Sequence, residues 1–278
     1  MAKVLIGTSG YYYTDWVGPF YPPGTGKDNF LQFYSEHFPF CELNFSYYQM
    51  PLRGKLIEMV QKTPKGFQFA IKAHKSITHE RSPSSVERAE EFFHAISPMR
   101  EENRLSAVLL QFPYSFHYTQ ENRKYLAEVL PPLKGLPLCI EFRNREWMLE
   151  RVYKAFQERD ITFVQTDTPE LDNLPIATSI TTSKLGYIRF HGRNKENWWN
   201  GDNTSRFDYL YQEKELQLWM CRIEEIAAKT EKLIIAFNNH YKANAISNAR
   251  QLREMINKHT NLCLPDKENL KDTQNKDE

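Results

Sequence analysis

The sequence predicts one α/β domain, a (β/α)₈ TIM-like barrel over residues 1–264, followed by a charged tail at 265–278 expected to be disordered. Three observations lead there. Eight short apolar runs rich in β-formers recur along the chain. Most gaps between them hold one apolar stripe at helical spacing. The first run leads into Gly7-Thr8-Ser9-Gly10-Tyr11-Tyr12-Tyr13, which lacks the G-x-G-x-x-G loop typical of an open doubly wound sheet. Strand–helix alternation implies a parallel sheet with helical crossovers. Eight such units in about 250 residues is the size of a closed barrel.

The strand runs are 3–8, 40–44, 67–73, 106–112, 138–143, 161–166, 186–191 and 233–238. After the third, Ser82-Pro83 signals a helix through Phe93: a capping hydroxyl, then proline in the first turn. After the fifth, Met148, Val152, Ala155 and Phe156 make a helical stripe over 146–159. After the sixth, 167–185 contains Pro169 and Pro175 and shows no stripe, so a loop or short helix is expected. After the seventh, Leu216, Trp219, Ile223 and Ile226 mark a helix over 213–229. After the eighth, Ala245, Ala249, Leu252 and Ile256 mark another over 243–258.

Composition narrows the functional classes. The chain has 278 residues, 41% hydrophobic and 26% charged, with 36 basic against 35 acidic side chains. Near-neutrality argues against wholesale nucleic-acid binding, which usually needs a basic domain. No apolar run reaches the roughly 18 residues of a membrane span. The apolar start at 1–7 is too short for a secretory signal. Cys41, Cys139, Cys221 and Cys263 show no metal or redox spacing, and free thiols fit a reducing compartment. The cytoplasm is the expected location, and the oligomeric state is left open.

Strand side chains alternate between faces, and in a barrel one face looks inward and the other toward the helices. In the third run Phe67, Phe69 and Ile71 oppose Gln68, Ala70, Lys72 and His74. In the fifth, Leu138, Ile140 and Phe142 oppose Cys139, Glu141 and Arg143. In the seventh, Ile188 and Phe190 oppose Tyr187, Arg189, His191 and Arg193. In the eighth, Ile235 and Phe237 oppose Ala236, Asn238 and His240. The apolar sets suit the helices, so the polar sets are expected inside, near the strand C-terminal ends where barrel enzymes carry their active sites. Glu42 and Asn44 in the second run and Gln111 in the fourth join them. Buried charges cost several kcal/mol each unless paired, so the cluster is either a site or an ion network. Arg189 and Glu141 lie deepest, where a plain salt bridge is the alternative.

Several motifs in this order carry a resemblance. They are Gly7-Thr8-Ser9-Gly10, Trp16-Val17-Gly18-Pro19-Phe20-Tyr21-Pro22 and Glu42-Leu43-Asn44-Phe45-Ser46-Tyr47-Tyr48, then Thr63-Pro64, Gln68-Phe69-Ala70-Ile71-Lys72 and Ile77-Thr78-His79. Leu110-Gln111-Phe112-Pro113, Glu141-Phe142-Arg143, Arg189-Phe190-His191-Gly192-Arg193, Phe237-Asn238-Asn239 and Ala243 with Asn248-Ala249 complete the set. Together the chain resembles the DUF72, or YecE-like, family. The resemblance implies a TIM-like barrel and no assigned function. It departs at Tyr11-Tyr12-Tyr13, where the family usually has tryptophan, and at Trp198-Trp199, where the family tends to tyrosine.

The candidate catalytic residues are Glu42, Lys72, Glu141 and His191. The candidate substrate-binding residues are Ser9, Trp16, Asn44, Gln111, Arg143, Arg189, Arg193, Asn238 and Asn239. Lys72, Arg143, Arg189 and Arg193 stand against Glu42 and Glu141, with Asp167 nearby. Arginine forks match phosphate and carboxylate, so the expected partner is a small anionic ligand. His191 has a usual pKa near neutrality; Lys72 could act as base or Schiff-base nucleophile or could simply pair with Glu42 or Glu141. The leading reading is an enzyme using acid/base chemistry without metal or cofactor, as a hydrolase, lyase or isomerase. One alternative is a metal-dependent phosphodiesterase- or endonuclease-like barrel drawing on Glu42, His74, Glu141, Asp167, His191 and His240. The other is a non-catalytic protein that binds an anionic ligand. No membrane partner is expected, and nucleic acid is a disfavoured one.

Overall fold

The computed structural model describes residues 2–259, Leu262 and Leu264. Nine parallel strands form one sheet: β1 Lys3–Ser9, β2 Phe40–Leu43, β3 Gln68–Lys72, β4 Leu105–Phe112, β5 Leu138–Phe142, β6 Thr162–Phe163, β7 Gln165–Asp167, β8 Leu185–Phe190 and β9 Lys232–Phe237. Their order is β6-β5-β4-β3-β2-β1-β9-β8-β7. The two ends of that order, β6 and β7, are parted only by Val164. They are halves of the single run expected at 161–166. β6 pairs with β5 and β7 pairs with β8, so the ring closes through this interrupted strand. The Val164 amide bridges the break by donating to the Ile140 carbonyl at 2.9 Å. All eight expected runs are therefore present, and the barrel is nearly closed.

The alternation of side chains divides the core in two. Phe69, Ile71, Ile140, Phe142, Ile188, Phe190, Ile235 and Phe237 pack outward in the large cluster under the helices. Leu5, Phe40, Ala70, Ala107, Leu109, Cys139, Val164, Tyr187, Ile234 and Ala236 form a separate buried cluster inside the ring. Each large apolar side chain fully buried in these layers contributes roughly 1.5–3 kcal/mol over the exposed state. The small inward residues Ala70, Ala107 and Ala236 give the lumen room for a long side chain above them. Gly7 does the same for the backbone: a Cβ there would meet the Phe40 carbonyl oxygen at 2.1 Å.

Two helices follow the expected stripes closely, Glu213–Ala228 and Asn244–His259. The first begins on a reciprocal cap between Gln212 and Glu215 and buries Leu216, Trp219, Ile223 and Ile226. Two others differ from expectation. The helix expected from Ser82-Pro83 runs instead over Ser85–Ala95; the Ser82 hydroxyl pairs with that of Ser84 at 2.9 Å rather than capping an amide. The helix expected over 146–159 is a single 3₁₀ turn, Arg145–Trp147, then a helix Glu150–Gln157. Leu149 between them is extended, with φ −126° and ψ 141°. The stretch between Asp167 and Leu185 carries no helix or strand, as its prolines imply. The expected tail at 265–278 lies outside the described residues. Among the described residues no helix is long and apolar enough to cross a membrane.

Candidate functional site

The inward polar residues meet at the C-terminal mouth, and Arg189 is their centre. It rises from β8 through the lumen, 1% exposed. Its Nε and Nη2 donate to the two Glu42 oxygens at 2.8 and 2.6 Å, and its Nη1 donates to Glu141 Oε2 at 2.5 Å. Tyr187 adds a hydroxyl donor to Glu42 at 2.5 Å, and Ser9 Oγ lies 3.5 Å from Arg189 Nη2. One guanidinium thus ties β2, β5 and β8 across the barrel. Burial alone would raise the pKa of Glu42, but the charge and hydrogen bonds of Arg189 outweigh it and hold the carboxyl below its usual value. Glu141 is held well below by the same opposition, with Arg189, Arg143 and His191 against burial. Both carboxylates are fully buried beneath the mouth.

His191 belongs to this network and is neutral. Its Nδ1 faces two donors, Asn238 Nδ2 at 3.1 Å and Arg143 Nη2 at 3.4 Å. That nitrogen must accept, so the proton sits on Nε2, 3.2 Å from Glu141 Oε1. Burial first, then the Arg143 charge, push its pKa down to about 3. The ring nitrogens of His191 are thus committed to Asn238, Arg143 and Glu141, a setting that differs from the free imidazole its expected role was argued from. Glu42, Glu141 and His191 form one buried network around Arg189 and Arg143, with both carboxyls held below their usual pKa values.

Above the scaffold opens a cavity of ≈ 620 Å³, within the range of small-molecule sites. Lys72, Arg143, Arg189 and Arg206 line it with His79, Asn44, Gln111 and Asn238, and none of its lining residues is a carboxylate. Aromatic walls come from Tyr13, Tyr47, Tyr48, Tyr114, Trp198, Trp199 and Phe207. Arg143 lies under the ring of Trp198 with Cζ 5.7 Å from its centroid, and its Nε is 2.6 Å from Glu141 Oε1. Arg206 Nε and Asn44 Oδ1 are buried without a protein hydrogen-bond partner.

Lys72 ends β3 inside this cavity. Its Nζ donates to Gln111 Oε1 at 2.9 Å and lies 4.3 Å from the centroid of the Tyr47 ring. Gln111 is oriented by its own amide nitrogen, which donates to the Phe112 carbonyl at 2.9 Å. Tyr47 is placed by the short helix Phe45–Tyr48, whose Ser46 hydroxyl donates to the Lys72 carbonyl at 2.6 Å. Among the described residues Lys72 makes no ion pair, so the expected alternative of a bridge to Glu42 or Glu141 is not what forms. Burial first, then the Arg189 charge, lower its pKa to about 7. His79, on the turn after β3, is lowered to about 4 by burial and then by Lys72.

Four expected ligand contacts lie elsewhere. Arg193 grips Asp167 with two bonds, Nε to Oδ1 at 2.8 Å and Nη2 to Oδ2 at 2.6 Å, and reaches Glu215 at 3.2 Å. Asp167 also accepts from Tyr211 at 2.7 Å and from Trp219 at 2.6 Å, so the group joins the barrel to the helix Glu213–Ala228. The alternation that placed Arg193 inside stops at Gly192, whose φ of +89° turns the chain away. Asn239 is fully buried against Asn248 and the Tyr209 carbonyl. Trp16 is buried behind Tyr13, its indole donating to the His240 carbonyl at 2.7 Å. Ser9 lies in the scaffold below the cavity.

Sequence reasoning did not single out Arg206. It ends the short helix Asn203–Arg206, within the loop segment that follows β8, rather than sitting on a strand. The signal was the aromatic and basic interleaving of Trp198, Trp199, Arg206 and Phe207 after a barrel strand. The six residues of the metal alternative do not converge: among the described residues no three His, Cys, Asp or Glu side chains are placed to hold one ion.

Comparison with known proteins agrees with the architecture. A family model described as "Protein of unknown function DUF72" matches residues 5–274. The UPF0759 protein YunF of Bacillus subtilis (strain 168) is 31% identical over 273 residues, covering 91% of this chain and 94% of that protein. The crystal structure of a DUF72 family protein from Thermotoga maritima MSB8 superposes with a TM-score of 0.85 at 36% identity, covering 92% of this chain and 99% of that one. A DUF72 family protein from Enterococcus faecalis V583 gives a TM-score of 0.82 at 25% identity, covering 91% and 95%. With the barrel, the chain-long family match and these relatives together, this chain belongs to the DUF72 family.

Proposed function

We propose that the chain is a cytoplasmic enzyme acting on a small metabolite that bears a phosphate or carboxylate, by acid/base chemistry at the barrel mouth without metal or cofactor. One observation carries the reading: four cationic side chains and no carboxylate line the cavity. Two of the charges are balanced from below by Glu42 and Glu141. The excess is two positive charges, or one when Lys72 is neutral. Such an excess behind aromatic walls is costly without a counter-ion, and an anionic ligand supplies one. Arg143 and Arg206 hold the anion in this reading, and Lys72 moves the proton. The three described cysteines are free thiols, which suits a reducing compartment.

The test is calorimetric titration of inorganic phosphate, sulfate and a panel of sugar phosphates. Wild type is expected to bind at least one. Arg143→Met removes a charge-assisted hydrogen bond of about 1.5–3 kcal/mol, so affinity should fall roughly 10- to 100-fold. No binding by wild type, or equal binding by the variant, would overturn the reading. Turnover of a bound compound separates an enzyme from a protein that only binds.

A further inference from the structure

Lys72 differs in kind from the arginines around it. An ammonium has three N–H donors to satisfy. Here one meets Gln111 Oε1, a ring face lies to another side, and no carboxylate is paired with it among the described residues. Arg143 and Arg189 share its cavity and oppose a further positive charge. A neutral amine fits these surroundings better. It donates to Gln111 and keeps a lone pair for the cavity. Gln111 Oε1 and the Tyr47 ring face hold the nitrogen against the cavity wall, and the Ser46 hydroxyl fixes the Lys72 backbone.

We propose that Lys72 is a covalent catalytic residue that forms an imine with the aldehyde or ketone carbon of an anionic substrate, an oxo-acid or a sugar phosphate. The inference rests on the anion-site reading above and adds the carbonyl to it. The lone pair of the neutral Nζ attacks the carbonyl carbon. A C–N bond forms, the C=O π pair moves to oxygen, and that oxygen takes a proton, giving a carbinolamine. The nitrogen pair then expels the hydroxyl as water with a second proton from solvent. Nitrogen enters with two hydrogens, passes one to the former carbonyl oxygen as the carbinolamine forms and keeps the other, so amine, carbonyl and one net proton become iminium and water, with no oxidant or reductant. The guanidinium groups of Arg143 and Arg206 hold the phosphate or carboxylate and so set the carbonyl against Nζ. The depressed pKa, about 7, keeps a large fraction of the amine unprotonated at neutral pH, whereas an ordinary lysine near 10.4 has almost none.

Reductive trapping tests this on the whole protein. The chain is incubated at neutral pH with glyoxylate, with glyceraldehyde 3-phosphate, or with uncharged acetaldehyde, each with cyanoborohydride, and the adducts are mapped by peptide mass spectrometry. The expected result is preferential labelling of Lys72 over surface lysines by the two anionic carbonyls. Labelling by acetaldehyde should be slower, and inorganic phosphate should compete with the anionic pair. The rate at Lys72 should rise as pH passes through about 7, and Lys72→Arg should abolish that adduct. Because the wild-type peptide map carries the result, a poorly folded variant does not decide it. Labelling spread over surface lysines with no excess at Lys72 overturns the inference. If phosphate binds by calorimetry in the same preparation, the anion-site reading survives that failure. Equal labelling of Lys72 by charged and uncharged carbonyls overturns the proposed substrate class.

Discussion

Arg189→Met is the sharpest test of the scaffold under the mouth. Methionine keeps much of the volume and removes the guanidinium. Three charge-assisted bonds are lost, at 2.8, 2.6 and 2.5 Å. Each is worth about 1.5–3 kcal/mol alone, but they share one group and do not add. Glu42 keeps Tyr187, and Glu141 keeps Arg143 and His191. Breaking a buried pair by removing one partner costs about 3–5 kcal/mol, and about 4 kcal/mol is expected at neutral pH. In wild type both carboxyls are held below their usual values, so their stabilisation is present above the unfolded pKa near 4.3 and is lost as pH falls through the folded one. In the variant burial dominates and raises them. That contribution is present at low pH and is lost as pH rises through the new folded pKa. The stability gap should therefore widen by at least about 1 kcal/mol from pH 5 to pH 8. Urea unfolding of both proteins across that range measures it. A loss below about 1 kcal/mol, or a gap independent of pH, would refute the account of Arg189 as the charge centre.

Three further outcomes follow from the same geometry. A bound anion raises the Lys72 pKa from about 7, so phosphate affinity should be greatest below that pH and fall by up to about tenfold per unit above it. Calorimetry in two buffers of different ionisation enthalpy should show proton uptake, and equal affinity at both ends of the range would contradict it. Arg193→Met leaves buried Asp167 with only Tyr211 and Trp219 as side-chain donors. It should cost about 1–3 kcal/mol in urea unfolding while phosphate affinity stays at the wild-type value; a matching loss of affinity would return Arg193 to the site. Gly192→Ala would put a Cβ 2.8 Å from Tyr209 Cβ at a φ of +89°. It should destabilise by about 1–3 kcal/mol and weaken phosphate binding, because the segment that carries Arg206 starts there. A melting curve and a titration at wild-type values would show that the turn is not strained.

The barrel and most of the site were legible because β-strands repeat every two residues. The opposition of Ile188 and Phe190 to Tyr187 and Arg189 placed the inward side correctly. So did the opposition of Ile140 and Phe142 to Cys139 and Glu141. That logic holds only while the chain stays extended. Arg193 lies past Gly192, where the backbone turns, and its expected inward position fails for that reason. The Arg189–Glu141 salt bridge was anticipated and forms, but that Arg189 also takes both oxygens of Glu42 and that Arg143 shares Glu141 was not legible. Pairing depends on the register between β2, β5 and β8, and no single strand encodes it. The same holds for the protonation of His191, which is fixed by Asn238 and Arg143 arriving from two other elements. Arg206 was invisible to strand parity because it reaches the cavity from a short helix, Asn203–Arg206, set within the loop after β8.

That loop divides the site into two mechanical kinds. Lys72, Arg143 and Arg189 are rooted on neighbouring or cross-bonded strands and move only if the barrel moves. Arg206, Trp198, Trp199 and Phe207 ride on a segment braced from within, where Asn194 Nδ2 donates to the Ser205 carbonyl at 2.9 Å and Asp202 caps Thr204 and Ser205. A segment braced by its own side chains can change its sequence, or be exchanged for another, without disturbing the fixed charges beneath. The braced segment is an interchangeable faceplate, the part of the cavity wall that can be rebuilt while the strand-borne charges keep their places.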